Sequence, residues 1–98
     1  MINITKSKDL IIFEGHANYA EYGKDIVCAS VSSIITTTVS AIQSIDNNAI
    51  KVIDEDMFII KKIKDDDIVN KLIGNMLNLL DDLSKQYPKN LKWSDRNE

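Results

Sequence analysis

The 98-residue chain contains 12 basic and 15 acidic residues, which gives a net charge of −3. Hydrophobic residues at 44% and charged residues at 28% are ordinary for one globular domain over residues 1–98, and they indicate neither a disordered chain nor a membrane protein. An acidic chain lacks the cationic surface that drives non-specific binding to nucleic acid. The lysines at 61, 62 and 64 are followed at once by Asp65–Asp67, so we expect no direct nucleic-acid partner.

The compartment is suggested by the first residues and by the cysteine count. Residues 1–13 alternate apolar and polar side chains and contain no apolar run long enough for a signal peptide or a membrane span. The single cysteine, Cys28, cannot form an internal disulfide, which fits a reducing environment. We therefore expect a cytoplasmic protein with no membrane partner.

The first half of the chain predicts a hairpin, a loop and a helix. Residues 2–6 alternate, and after a polar cluster the β-rich run 10–13 ends at Gly15, which indicates two antiparallel strands. Residues 17–24 lose the pattern and are predicted to form a loop. From Asp25 to Ile45, apolar residues recur at steps of three and four, which is the helical period.

The second half repeats this arrangement. The turn-forming residues 46–48 end the helix, and the β-rich runs 49–53 and 57–63 flank the acidic segment 54–56 as a second hairpin. Residues 65–67 then cap a second helix, whose apolar stripe continues until Pro88 ends it. Residues 91–93 form either a short edge strand or a packed tail.

The order β-β-α-β-β-α, with that possible final strand, predicts an α+β fold. Most connections are too short for parallel crossovers, except where the first helix itself provides one. Two helices packed on one face of a mostly antiparallel sheet would bury both apolar stripes.

The only histidine and the only cysteine lie twelve residues apart, at His16 and Cys28. If Asp25 is the N-cap, Cys28 lies in the first helical turn, where free N–H groups and the helix dipole stabilise a thiolate. His16 follows a strand of the sheet that the helix covers, so its imidazole could reach the thiol as a general base. The competing interpretation is that Cys28 is a small core residue, which is the commoner role of a lone cysteine in an apolar helix.

The joint pattern Gly15-His16-Ala17, followed by Tyr22-Gly23-Lys24-Asp25-Ile26-Val27-Cys28-Ala29-Ser30-Val31-Ser32, resembles the ribosomal-processing cysteine protease family Prp. That family carries a GHA element and, after a short loop, a G-x-DIVCAAVS element. Ser30 replaces the second alanine of the latter, a small-for-small change. The match is specific over about 18 residues, and the element order and chain length agree over nearly the whole chain.

The resemblance implies a cysteine endopeptidase whose catalytic dyad is His16 and Cys28. It implies a substrate, namely the N-terminal extension of a large-subunit ribosomal protein in certain bacteria, with bulky apolar residues ahead of the scissile bond. It also implies a homodimer without a cofactor, and a mobile loop over residues 17–24. Gly15 and Gly23 flank this loop and are its candidate hinges.

Several assignments stay open from sequence. Asp25 is a helix cap that could also support catalysis, and Asn18, Asp25 and Ser30 are each near enough to orient His16. Tyr19 and Tyr22 could line a peptide groove or pack on the surface. The first-turn N–H groups near Cys28 are candidate oxyanion donors.

A different class of function remains as the alternative, a dimeric binding module that recognises a ribosomal protein without cutting it, through an edge strand or an apolar face. A metal site is disfavoured, because one histidine and one cysteine supply only two of the four ligands that a closed zinc site needs. The acidic segment 54–56 lacks the spacing of a calcium-binding loop.

Overall fold

A computed structural model describes residues 1–21 and 24–95 of the chain. Five strands and two helices follow the predicted order, and the final segment is a strand. Their bounds are β1 (Ile2–Lys6), β2 (Leu10–Gly15), α1 (Ile26–Ile45), β3 (Ile50–Asp54), β4 (Phe58–Lys62), α2 (Asp67–Gln86) and β5 (Leu91–Asp95). The prediction of a mostly antiparallel α+β fold is confirmed.

The five strands form one sheet in the order β3-β4-β2-β1-β5. Three of the pairings are antiparallel: β1 with β2, β2 with β4, and β3 with β4. The outer strand β5 pairs parallel with β1. These pairings make β3 parallel to β2, and β5 parallel to β4. Each helix is therefore a crossover between two parallel strands, which was expected from sequence only for α1.

One face of the sheet carries the core. Alternate strand residues are buried on that face, and the registers align Ile4 with Phe13 and Ile11 with Ile60 across neighbouring strands. The buried stripes of both helices complete the same cluster; they are Val27, Val31, Ile35 and Ile42 of α1, and Val69, Ile73, Met76, Leu77 and Leu80 of α2. Burying these side chains is the main favourable term in folding.

Helix α1 contains no charged residue over its 20 positions. Among the described residues it is the one helix that is long and apolar enough to cross a membrane by length and composition. A core helix passes the same test, and the buried side chains of α1 belong to the protein core. Burial accounts for this helix better than propensity does, because its centre contains three consecutive threonines.

The crossover topology brings distant segments to one edge of the sheet. Since β3 runs parallel to β2 with α1 between them, the end of β2, the start of α1 and the end of β3 share that edge. β1 is antiparallel to β2 and β5 is parallel to β1, so both of these strands begin there. In sheets with such crossovers, ligands bind beyond the carboxyl ends of the parallel strands.

Candidate active site

Cys28 lies in the first turn of α1, as the N-cap prediction requires. Helix α1 begins at Ile26 with Asp25 as its N-cap, and the Asp25 carboxylate accepts from the amides of Val27 at 3.0 Å and Cys28 at 2.9 Å. The Cys28 side chain is half-buried and is a free thiol. The capped turn thus fixes the thiol at the sheet edge where β2 ends.

Asp25 also ties the preceding loop to the helix, because its second carboxylate oxygen accepts from the amide of Tyr19 at 3.0 Å. The Cys28 amide is the main cause that lowers the pKa of the Asp25 carboxyl below its ordinary value, with smaller contributions from the amides of Tyr19, Ala20 and Val27. Asp25 is therefore a confirmed cap that holds one end of the loop. A catalytic role for it stays a prediction.

We expect Asp25→Asn to weaken the dependence of stability on acid pH. The folded pKa of Asp25 is depressed, so its stabilisation is present above the ordinary aspartate value of 3.8 and is lost as pH falls through the folded pKa. Thermal unfolding of both proteins from pH 7 to pH 2.5 measures this. The advantage of the native chain should shrink below about pH 4, whereas a constant difference would contradict the assignment. The variant keeps Asp46 and Asp65, whose pKa values are also lowered, so their contribution cancels in the comparison.

Three amides at the start of α1 already have hydrogen-bond acceptors, so the oxyanion role that we expected of the first turn stays a prediction. Those of Val27 and Cys28 already donate to Asp25, and that of Ala29 donates to the Asp25 carbonyl at 3.1 Å. The amide that contacts the sulfur belongs instead to Ala17, which donates to Cys28 Sγ at 3.4 Å. Ala17 lies in the segment that follows β2, immediately after His16.

His16 and Cys28 lie between two open clefts and line both of them. The first, the loop-side cleft, has a volume of about 560 Å³ and is lined by His16, Asn18, Ala20, Asp25, Cys28, Ala29 and Ser32. The second, the strand-side cleft, measures about 430 Å³. An extended chain crossing both clefts would pass the thiol, so the arrangement suits a site that acts on the middle of a peptide.

The strand-side cleft combines an apolar floor with an acidic rim. Phe13, Val31, Ile35 and Phe58 form part of its lining, and the β3–β4 turn Asp54–Asp56 borders it. From sequence, this acidic segment was expected only to form the turn of a hairpin. The position of this turn beside the site could not be read from nearby residues. It arises because α1 makes β3 parallel to β2, so both strands end at the same edge of the sheet.

Gly15 is required by two features of its backbone. Its φ is +91°, a conformation that side chains disfavour, and a Cβ at this position would collide with the carbonyl oxygen of Met1. This glycine ends β2 immediately before His16, so it fixes how the histidine leaves the sheet. A hinge role for Gly15 stays a prediction, and the other candidate hinge, Gly23, lies outside the described residues together with Tyr22.

The remaining predicted residues have distinct positions. Asn18 has a left-handed backbone with φ 55° and lines the loop-side cleft with His16. The Ser30 hydroxyl donates to the Ile26 carbonyl at 2.7 Å, the local helix contact that its sequence position suggested. The Tyr19 ring packs edge-on against Tyr87, with ring centres 5.4 Å apart. Among the described residues, the side chains of Asp25 and Ser30 are engaged in the hydrogen bonds given above, whereas Asn18 lines the cleft beside His16.

A bound metal ion would need several ligating side chains close together. Within residues 1–21 and 24–95, no three histidine, cysteine or acidic side chains are grouped as a metal ion would require. The site is described by a thiol, an imidazole, a capping carboxylate and a backbone amide.

Comparison with known proteins identifies relatives of this chain. The ribosomal processing cysteine protease Prp of Staphylococcus aureus is 29% identical over 86 residues, covering 84% of this chain and 81% of that protein. Its namesake in Mycoplasma genitalium is 54% identical over 35 residues, a segment that spans 36% of this chain and 35% of that relative.

Solved structures agree with this relationship. The essential ribosomal processing protease Prp from S. aureus, in complex with a covalently linked product peptide, superposes with a TM-score of 0.93 at 25% identity. The match covers 98% of this chain and 100% of that one. The family model described as "Cysteine protease Prp" matches residues 1–92, so the chain belongs to the cysteine protease Prp family.

Proposed function

We propose that this protein is the endopeptidase that removes a short N-terminal extension from a large-subunit ribosomal protein. Cys28 is the nucleophile and His16 is the general acid and base. The single observation that carries the proposal is the position of the Cys28 thiol, which lies in a capped helix turn between two clefts that His16 also lines. The relatives' names, which specify ribosomal processing, support the choice of substrate.

The proposed reaction is acyl transfer. His16 accepts the thiol proton, and the Cys28 sulfur attacks the scissile carbonyl carbon to give a tetrahedral intermediate. This intermediate collapses as the C–N bond breaks, and His16 gives its proton to the leaving amine. Water then attacks the thioester, His16 takes a proton from it, and the sulfur departs and is reprotonated.

The clefts suggest how the peptide lies. The apolar lining of the strand-side cleft suits the bulky apolar residues that the family resemblance implies ahead of the scissile bond. The loop-side cleft would then hold the residues beyond the bond, beneath the segment that Asp25 ties to the helix. On this proposal, the described loop residues 17–21 and 24 close over a bound peptide.

The experiment that tests the function is cleavage of the full-length ribosomal precursor, with the products identified by mass spectrometry. We expect one cut that releases the N-terminal extension. In His16→Ala, kcat should fall by about 10²-fold to 10⁴-fold, because that variant loses its general acid and base. A precursor that stays intact with the native protein, or a His16→Ala variant with native turnover, would contradict the proposal. Lys24→Ala is a suitable control, because Lys24 is an exposed residue of the same loop with no proposed role.

We also propose that the protein works as a homodimer in the cytoplasm, with no direct contact to nucleic acid. The outward face of α1 supports self-association, because it presents serine, threonine and isoleucine side chains without a charge. Ile26 and Ile45 at its two ends are both more than half exposed. A ribosomal protein as substrate, together with a lone free thiol, is consistent with the reducing cytoplasm.

A further inference from the structure

Two hydrogen bonds connect a residue near the end of the chain to the sulfur of Cys28. The Asn90 carboxamide donates from Nδ2 to the carbonyl oxygen of Ala17 at 2.9 Å. The Ala17 amide in turn donates to Cys28 Sγ at 3.4 Å. Asn90 and Ala17 are 73 positions apart in sequence, so the contact exists only because β5 begins at the edge of the sheet where β2 ends.

Asn90 is itself held firmly by the backbone. Its amide donates to the Tyr87 carbonyl at 3.0 Å, and its carbonyl accepts from the Ile2 amide at 2.9 Å. These bonds attach it both to the turn after α2 and to the first residue of β1. The backbone of Asn90 is therefore fixed by the sheet. Its side chain in turn restrains Ala17, which lies in the loop after β2.

Ala17 is well suited to receive this constraint. Its methyl group belongs to the core, with only 1% of the residue exposed, while its N–H and C=O point to Cys28 and Asn90 respectively. Fixing both backbone groups and the methyl leaves the residue little freedom. His16 is the preceding residue, so its backbone is restrained as well.

We propose that Asn90 is a positioning residue that holds the Ala17 amide against the sulfur of Cys28 in its thiolate form. Neutral sulfur is a weak acceptor, whereas a hydrogen bond to an anion is stronger, so an amide fixed at this place favours the thiolate. The proposal rests on the proposed role of Cys28 as nucleophile. It adds a residue from the far end of the chain to the machinery that prepares the thiol.

The test is the rate of Cys28 alkylation by iodoacetamide across pH in the native protein, Asn90→Ala and Asn90→Leu. Alanine removes the donor without adding charge, and leucine removes it while roughly keeping the side-chain volume. We expect the midpoint of the pH–rate profile to rise by about half a pH unit or more in both variants. Asn78→Ala is the matched control, because Asn78 is an exposed residue of α2 that lines neither cleft.

Cleavage kinetics provide the second measurement. A misplaced amide and histidine should lower kcat by about tenfold to a hundredfold, with little change in KM, since the clefts themselves are retained. Circular dichroism identifies a variant that has not folded, in which case the other Asn90 variant decides. Native pH–rate profiles in folded Asn90 variants would overturn the proposal. Because alkylation requires no substrate, failure to cleave the ribosomal precursor would count against the proposed function alone.

Discussion

Cys28→Ala is expected to abolish cleavage of the ribosomal precursor, lowering kcat/KM by about 10³-fold or more. The substitution removes the atom that forms the thioester, and His16 has no other thiol to activate. The fold should survive, because Cys28 is only half-buried and alanine is a small residue that helices favour. Turnover of the precursor, with unfolding temperature as the companion measurement, checks both expectations.

Ser84→Ala is the matched control for this variant. Ser84 lies near the end of α2, lines neither cleft and donates its hydroxyl only to the nearby Asp81 carbonyl at 2.6 Å. It should retain near-native turnover. A binding module that recognises the ribosomal protein without cutting it would show no cleavage in the native protein and would bind the ribosomal protein equally well in Cys28→Ala. Native turnover in Cys28→Ala would contradict the role of Cys28 as nucleophile.

The second large effect is expected from Gly15→Ala, which should lower both stability and activity. The left-handed backbone at φ +91° costs a side chain roughly 1–3 kcal/mol, and the added Cβ also collides with the Met1 carbonyl, so β1 or β2 must shift. For a domain of this size, a loss of about 2 kcal/mol lowers the unfolding temperature by about 10 °C. Turnover should fall further than stability alone explains, because Gly15 sets the direction of His16.

Gly74→Ala separates this local cause from the general effect of replacing a glycine. Gly74 lies inside α2, and a Cβ built there has no neighbour within 4 Å. Alanine should therefore be neutral or stabilising by about 0.5–1 kcal/mol, since glycine is a poor helix former. If the two variants unfolded at the same temperature, the strain assigned to Gly15 would be wrong.

Local signals account for what could be predicted. The turn residues between β-rich runs gave both hairpins, and the apolar period gave both helices to within a few residues of their bounds. Asp25 was identified as the cap of α1 because aspartate suits that position, and its bonds to the Val27 and Cys28 amides confirm it. The placement of Cys28 in the first turn follows from this one local feature.

Long-range pairings explain what the sequence did not reveal. Nothing near Leu91 indicates that β5 pairs parallel with β1, and hence nothing indicates that Asn90 reaches Ala17. The approach of Gly15 to Met1 follows from the register of the β1–β2 hairpin, which places Ile2 opposite Gly15. The oxyanion assignment stays a prediction, and what the sequence did not reveal about it is that the cap that places Cys28 also occupies the amides of Val27 and Cys28.

The parallel pairing of β5 with β1 has a consequence for when the protein becomes active during its own synthesis. Asn90 immediately precedes β5, a strand that follows the other described strands along the chain and pairs with the first of them. Contacts of such high sequence separation form late, because the intervening chain must be ordered first. A nascent chain still lacking β5 would already contain His16 and Cys28, but without the contact that holds the Ala17 amide at the thiol. On the role proposed for Asn90, the thiol of such a chain is fully prepared only after β5 has paired with β1.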